Sequence, residues 1–379
     1  MKKLLALILV SVLVFAACGP TPAPPTPPPA TETPVDEPGP NIITWGPDEI
    51  PIALVTDYGT IDDGSFNQGS WEGVLAFAEA NNVPRQYFQP AEESDAAYLN
   101  AITLAIEAGA QIVVTPGFLF AAAVYEAQDL WPNVKFVLID AQPNLGPDTD
   151  ARIANNTVAV LYAEEESGFL AGYSAVMEGH RSLGFIGGIP VPAVVRFGTG
   201  FIEGAELAAQ ELGLEAGEIT IRYTYVGTFN PAPEVQTMAA AWYADGVEII
   251  FAAAGGAGLS VMAAAEHAGA LMIGVDIDQA DQSPTVVTSA LKGLEASVYS
   301  IISDFFADNF PGGQAKIFNA ALDGVGLPMA TSRFENFTQA DYDAIFARLA
   351  AGEFNLSTNL GAEAHLGLGV ALVEIVNIG

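Results

Sequence analysis

The chain has 379 residues, 51% of them hydrophobic and only 15% charged, which is enough apolar material for two domains of ordinary size. Its formal net charge of −33 argues against nucleic acid as a partner, because phosphate contacts need Lys and Arg, and against anionic ligands held by simple charge. A single cysteine, Cys18, excludes a disulfide framework within the chain.

Met1-Lys2-Lys3 is a basic n-region, and Leu4 to Ala17 is an apolar h-region too short to span a bilayer comfortably. It ends in Phe15-Ala16-Ala17-Cys18, which resembles a lipobox: small residues before a Cys that is lipidated and becomes the mature N-terminus. An ordinary secretory signal with a Cys at its cleavage site is the competing reading. Gly19 to Pro40 is dominated by Pro, with Thr and Ala between, and reads as an extended, semi-rigid tether. The expectation is a signal peptide over 1–17, then a lipidated Cys and tether over 18–42. Such a chain works at the extracytoplasmic face of a membrane, either periplasm or outer cell surface.

From about Ile43 strands alternate with helices. Ile52 to Thr56 reads as strand and Trp71 to Ala80 as helix, with Val74, Leu75 and Ala78 at helical spacing. Ala96 to Ala108 is a helix, Gln111 to Thr115 a strand, and Gly117-Phe118-Leu119-Phe120 a loop entering another helix. Lys135 to Ile139 is a strand ending on Asp140, and Thr157 to Leu161 is the next. The series then restarts. Glu164 to Val176 and Phe201 to Leu212 read as helices, with a strand over Leu183 to Ile186 between them. Ile219 to Val226 is a strand ending in Gly227-Thr228-Phe229-Asn230, followed by a helix over Val235 to Ala244. Glu248 to Ala253 leads into Gly255-Gly256, Leu259 to Ala268 is a helix, Met272 to Val275 ends on Asp276, and Val286 to Leu291 ends on Lys292.

Apolar strands alternating with helices imply parallel sheets covered on both faces. Two such α/β halves in tandem, with ligand-type residues at strand ends, imply a bilobal binding protein. In doubly wound sheets the carboxyl ends of the strands share one edge, so two facing lobes place Asp57, Phe66, Asn67, Asp140, Phe229, Gly256, Asp276 and Lys292 on one cleft.

Residues 54 to 73, LVTDYGTIDDGSFNQGSWEG, carry the most specific signal. Val55-Thr56-Asp57, Asp63-Gly64-Ser65-Phe66-Asn67-Gln68 and Trp71-Glu72-Gly73 resemble the opening of the basic membrane protein family, lipid-anchored substrate-binding proteins of ABC importers that include purine nucleoside receptors. The resemblance continues through GFLFAAAV, KFVLID, EEESGFLAGY, GFIGG, FGTGF, YVGTFN, AAAGGAGL, GVDID and TSALK, nearly the whole mature domain. It implies the type I periplasmic-binding-protein fold, two doubly wound parallel-sheet lobes joined by a hinge with three crossovers. The first lobe would span 43–160 plus about 293–317, and the second 161–292 plus about 318–379.

The resemblance also implies roles. Phe66 and Phe229, one per lobe, would sandwich a base, each ring contributing roughly 1–3 kcal/mol. Phe197 would add an edge to the pocket. Asp57, Asn67 and Asp140 would hydrogen-bond the base edge, and Asp276 and Lys292 the ribose hydroxyls, with backbone N–H groups near Gly256. For Asp57 and Asp140 the competing role is helix capping; for each Phe it is core packing. Asp57, Asp140 and Asp276 against Lys292 alone would repel a phosphate, so a neutral nucleoside is expected rather than a nucleotide. Partners implied are an ABC permease and ATPase, the membrane through the lipid anchor, and no nucleic acid; the protein is expected to be a monomer.

An enzyme is the main alternative. Asp57-Tyr58-Gly59-Thr60-Ile61-Asp62-Asp63 resembles the Asp-rich start of Ca²⁺-binding nucleoside hydrolases, but Val55 stands where those have an acid, and an oxygen cage needs roughly six to eight ligands. Gly256-Ala257-Gly258-Leu259-Ser260-Val261, with Asp276 about twenty residues on, mimics a dinucleotide fingerprint, but Val261 replaces its third Gly. No cofactor is expected. His180, His267 and His365 have no paired Ser or Cys, and no metal spacing is recognisable. A ligand sensor not coupled to transport is the third reading.

Overall fold

The computed structural model describes residues 49–146 and 149–378. The expected signal peptide, Cys18 and the Pro-rich tether lie outside the described residues.

Branched, apolar residues form the strands, and alternation within a strand sends neighbours to opposite faces. The first sheet is built from β1 (Ile52–Val55), β2 (Arg85–Phe88), β3 (Ile112–Pro116), β4 (Lys135–Ile139) and β5 (Thr157–Tyr162), in the order β2-β1-β3-β4-β5 with every pair parallel. Ala53, Val55, Val113, Phe136 and Leu138 face one helical layer; Ile52, Leu54, Val114, Val137 and Ile139 face the other. Strands buried on both faces explain the unbroken apolar runs.

The second sheet repeats the plan with β6 (Ser182–Gly187), β7 (Ile219–Tyr225), β8 (Ile249–Ala253), β9 (Leu271–Asp276) and β10 (Val286–Lys292), ordered β7-β6-β8-β9-β10 and again parallel. In both sheets the order reverses beside the first strand. The crevice outside the strand ends at such a switch point is where ligands bind in open α/β sheets.

After β10 the chain returns to the first sheet, where β11 (Gln314–Phe318) pairs in parallel with β5. Two short additions then complete the second sheet: β12 (Val325–Gly326), antiparallel to β10, and β13 (Val373–Asn377), parallel to β7. The chain thus passes between the sheets after β5, after β10 and after β11.

The helices are α1 (Phe66–Asn81), α2 (Asp95–Glu107), α3 (Ala121–Leu130), α4 (Glu164–Glu178), α5 (Pro192–Leu212), α6 (Pro233–Ala244), α7 (Gly258–Ala268), α8 (Leu294–Phe306) and α9 (Gln339–Ala350). Two begin at least five residues earlier than the sequence reading placed them. Helix α1 starts at Phe66 rather than Trp71, and α5 at Pro192 rather than Phe201. Proline is well suited to that first turn, where its missing N–H has no partner to lose.

The Gly-rich stretch of α5 looks like a helix breaker in isolation. In the fold it is a contact surface. A Cβ on Gly168 or Gly172 of α4 would fall 2.2 Å from Phe197 O or 1.9 Å from Phe201 O; one on Gly200 or Gly204 of α5 would fall 2.0 Å from Glu165 O or Phe169 O. The two backbones meet through reciprocal glycines, which places the N-terminus of α5, and Phe197 with it, over the strand ends.

The segment after β12 is held to helices α4 and α5 by carboxylates. Glu178 accepts the N–H groups of Glu335, Asn336 and Phe337, and Glu206 those of Ala371, Leu372 and Val373.

Candidate functional site

Beyond β1 the chain turns sharply. Asp57 Oδ1 accepts the Gly59 N–H at 2.7 Å and Asn67 Nδ2 at 2.8 Å, so acid and amide are locked together. The capping role considered for Asp57 belongs instead to Asp63. Its carboxylate accepts the N–H groups of Ser65, Asn67 and Gln68 at 2.9–3.1 Å, which satisfies the free donors at the start of α1. Asp140 does not cap a helix either; it engages Lys292.

Asp140 and Asp276 end the fourth strand of their respective sheets, and both sit in the left-handed region, φ +64° and +68°. Asp tolerates that conformation better than most side chains. Asp276 Oδ2 accepts the Ser65 hydroxyl at 2.6 Å, a direct bond between loops of the two sheets. Gln279 and Gln282 donate their side-chain amides to Gly64 O at 2.7 and 2.8 Å across the same junction. Gly64 has φ +68°, which exposes that carbonyl at a turn only glycine adopts readily.

Lys292 closes β10 and is 5% exposed. Its ammonium bonds Asp140 Oδ2 and lies 3.3 Å from Glu164 Oε1 and 3.8 Å from Asp276 Oδ1. It also lies 4.8 Å from the Phe66 ring centroid, 5.3 Å from Phe197 and 5.5 Å from Tyr162, within cation–π range of all three. Burial works against its charge, but Asp140, Glu164 and Asp276 outweigh it and hold the ammonium above the usual lysine range. Burial raises the carboxyls of Asp57, Asp140 and Asp276. It pushes Asp63 up to about 7 against the three N–H donors that pull it down.

Phe66 and Phe229 are each half-buried. Phe229 lies in the loop after β7 over two glycines; a Cβ on Gly188 would strike its ring at 2.4 Å. Phe197 is different. It is 2% exposed and rests edge-on against Phe251, so it is a wall of the core as well as of the cleft.

All of Asp57, Phe66, Asn67, Asp140, Phe197, Phe229, Gly256, Asp276 and Lys292 line one cavity of about 240 Å³ between the strand ends of the two sheets. Two buried acceptors in its wall, Asn67 Oδ1 and Asp140 Oδ1, have no hydrogen-bond partner. Buried polar groups in native structures are nearly always satisfied, so these two oxygens are free to accept from a donor in the cavity. Asp63 and an apolar wall of Phe118, Leu119, Val191, Val194, Pro231 and Leu259 also line the cavity, and the sequence reading did not select them. Val191 and Val194 were hidden because the start of α5 was misplaced. Among the described residues no group of three or more His, Cys, Asp or Glu is placed to hold a metal ion.

The family model described as "ABC transporter substrate-binding protein PnrA-like" matches residues 50–348. The CD4+ T-cell-stimulating antigen of Listeria monocytogenes is 29% identical over 300 residues, covering 73% of this chain and 79% of that protein. The ABC transporter nucleoside-binding protein BmpA of Lactococcus lactis is 28% identical over 313 residues, covering 76% of this chain and 84% of that one. Among solved structures, an ABC transporter solute-binding protein from Aeropyrum pernix superposes with a TM-score of 0.72 at 22% identity, over 84% of this chain and 96% of its own. That likeness speaks for the fold, which is the type I periplasmic-binding-protein fold.

Proposed function

The chain belongs to the PnrA-like family of ABC transporter substrate-binding proteins, and from that membership we propose that its cleft takes an uncharged nucleoside, with a purine base, and delivers it to a membrane permease. The family binds substrates for transport rather than transforming them, and its members are extracytoplasmic. Among the described residues no helix is long and apolar enough to cross a membrane. A lipid on Cys18 would supply the anchor, with the Pro-rich segment as the spacer to the permease.

One observation carries the ligand reading. The cavity sets two half-buried rings, Phe66 and Phe229, beside a rim made almost wholly of acceptors, with a single ammonium that is already engaged by carboxylates. Rings suit the faces of a flat heterocycle, and carboxylates and Asn67 Oδ1 suit its N–H edges. Asp276 and Lys292 are suited to sugar hydroxyls. The name of the Lactococcus relative, a nucleoside-binding protein, supports the same class.

A phosphate would meet a rim of acid side chains, Asp57, Asp63, Asp140 and Asp276, with Lys292 already engaged by three carboxylates. Calorimetry on the purified folded domain tests the reading: inosine or adenosine binds, and the 5′-monophosphate binds at least roughly a hundredfold more weakly. Equal affinity for adenosine and AMP overturns it.

A further inference from the structure

Two charged residues lie behind the cleft without reaching it. Glu164 opens α4 just after the first passage between the sheets and is fully buried. It does not line the cavity, and neither does Arg196 of α5. Glu164 Oε2 takes the Arg196 guanidinium at 2.5 and 2.6 Å, while Oε1 faces the Lys292 ammonium at 3.3 Å. Arg196 Nε lies 3.4 Å from Glu165. A row of alternating charge therefore runs from Asp140 through Lys292, Glu164 and Arg196 to Glu165.

Lys292 needs such a partner. Its ammonium sits on a flexible four-carbon stem, and the rings of Phe66, Phe197 and Tyr162 attract its charge without directing its N–H bonds. Asp140 takes the one hydrogen bond from it, while Glu164 Oε1, 3.3 Å away with no hydrogen-bond partner of its own among the described residues, holds the ammonium by charge. Asp140 and Asp276 line the cavity; Glu164 is the one ion-pair partner of Lys292, among the described residues, that stays outside it. Arg196 in turn compensates the Glu164 charge, so that a fully buried carboxylate is held by cations on both sides.

We propose that Glu164, braced by Arg196, is a positioning residue that holds the Lys292 ammonium against the cleft and so confers discrimination for ligands bearing sugar hydroxyls. This rests on the nucleoside reading above.

The test is calorimetry of a purine ribonucleoside beside its 2′,3′-dideoxy counterpart, with wild type, Glu164→Gln and Glu164→Asp. Wild type prefers the ribonucleoside by roughly tenfold or more, the scale of a hydrogen bond from a charged group. In Glu164→Gln that ratio falls to within about threefold of unity while dideoxy affinity is little changed, and Glu164→Asp restores part of it. A purely structural role would weaken both ligands alike and leave the ratio standing. Should Glu164→Gln fail to fold, the charge-balanced pair Glu164→Gln with Arg196→Met carries the same measurement. An unchanged ratio in the folded variant overturns the proposal. Wild type that binds the ribonucleoside without preferring it removes the hydroxyl role of Lys292 and this inference together; wild type that binds neither overturns the nucleoside reading itself.

Discussion

Phe66 and Phe197 both lie under 5.5 Å from the same ammonium, yet they do different work. Phe66 is half-buried and opens α1, so its ring has a face to offer a ligand. Phe197 is closed in by Phe251 and the α4–α5 contact. Truncation separates them. Phe66→Ala, and likewise Phe229→Ala, should lower ligand affinity by roughly 1–3 kcal/mol with melting temperature nearly unchanged. Phe197→Ala should cost about 3–5 kcal/mol of folding stability, seen in chemical denaturation of the ligand-free protein. A Phe66→Ala protein that binds like wild type would remove the stacking role. The residue types at the site were readable in the sequence because turn and strand-end chemistry acts over a few positions. The division of labour between Asp57 and Asp63 was not: both precede α1, and only the path of the turn decides which carboxylate meets the helix N–H groups.

Helix α5 shows what a local reading gets wrong at the level of an element. Gly198, Gly200 and Gly204 look like interruptions, since each glycine in a helix costs about 1 kcal/mol relative to alanine. In the fold Gly200 and Gly204 lie against the Glu165 and Phe169 carbonyls of α4, and the approach they permit outweighs the lost propensity. Gly172→Ala should therefore destabilise by about 1–3 kcal/mol, although the same exchange in an exposed helix stabilises. Gly258→Ala in α7 is the control: its added carbon would meet nothing nearer than 3.8 Å, and the urea midpoint should hold or rise. A neutral Gly172→Ala would mean that α4 and α5 are not in contact as described. Edge strands β2, β11, β12 and β13 escaped the sequence reading for a related reason. Their residues are half-exposed or few, so neither an apolar run nor strict alternation marks them.

Across the whole molecule, the cost of building this cleft and the charge row behind it is a set of carboxyls that burial makes reluctant to ionise. Asp57, Asp140 and Asp276 are raised, Asp63 moves from 3.8 to about 7, and Glu165 from 4.5 to about 7, burial leading in each case. A carboxyl with a folded pKa above its unfolded one holds its proton more tightly when folded. Its stabilising contribution is complete below the unfolded value and is lost as pH climbs through the folded one. Glu206 and Glu211 run the other way: hydrogen bonds outweigh their burial, their pKa values fall below 4.5, and their contribution is lost only at lower pH. The ligand-free protein should accordingly melt highest near about pH 5 and lose stability as pH rises to about 8, and Asp63→Asn should flatten that decline. A melting temperature that rises across the same interval would contradict the burial argument.

Strand–loop–helix order, the doubling of the α/β unit and the residues at the strand ends were set by the sequence itself, because periodicity, turn residues and apolar runs act on near neighbours. Tertiary structure alone decided which of these residues meet. Lys292 and Asp140 stand 152 positions apart. The Glu164–Arg196 pair that backs them joins two helices through glycines that look like breaks until the helices are side by side. Burying an ammonium among carboxylates and rings is a property of the closed packing around it, and no stretch of the chain carries that environment by itself.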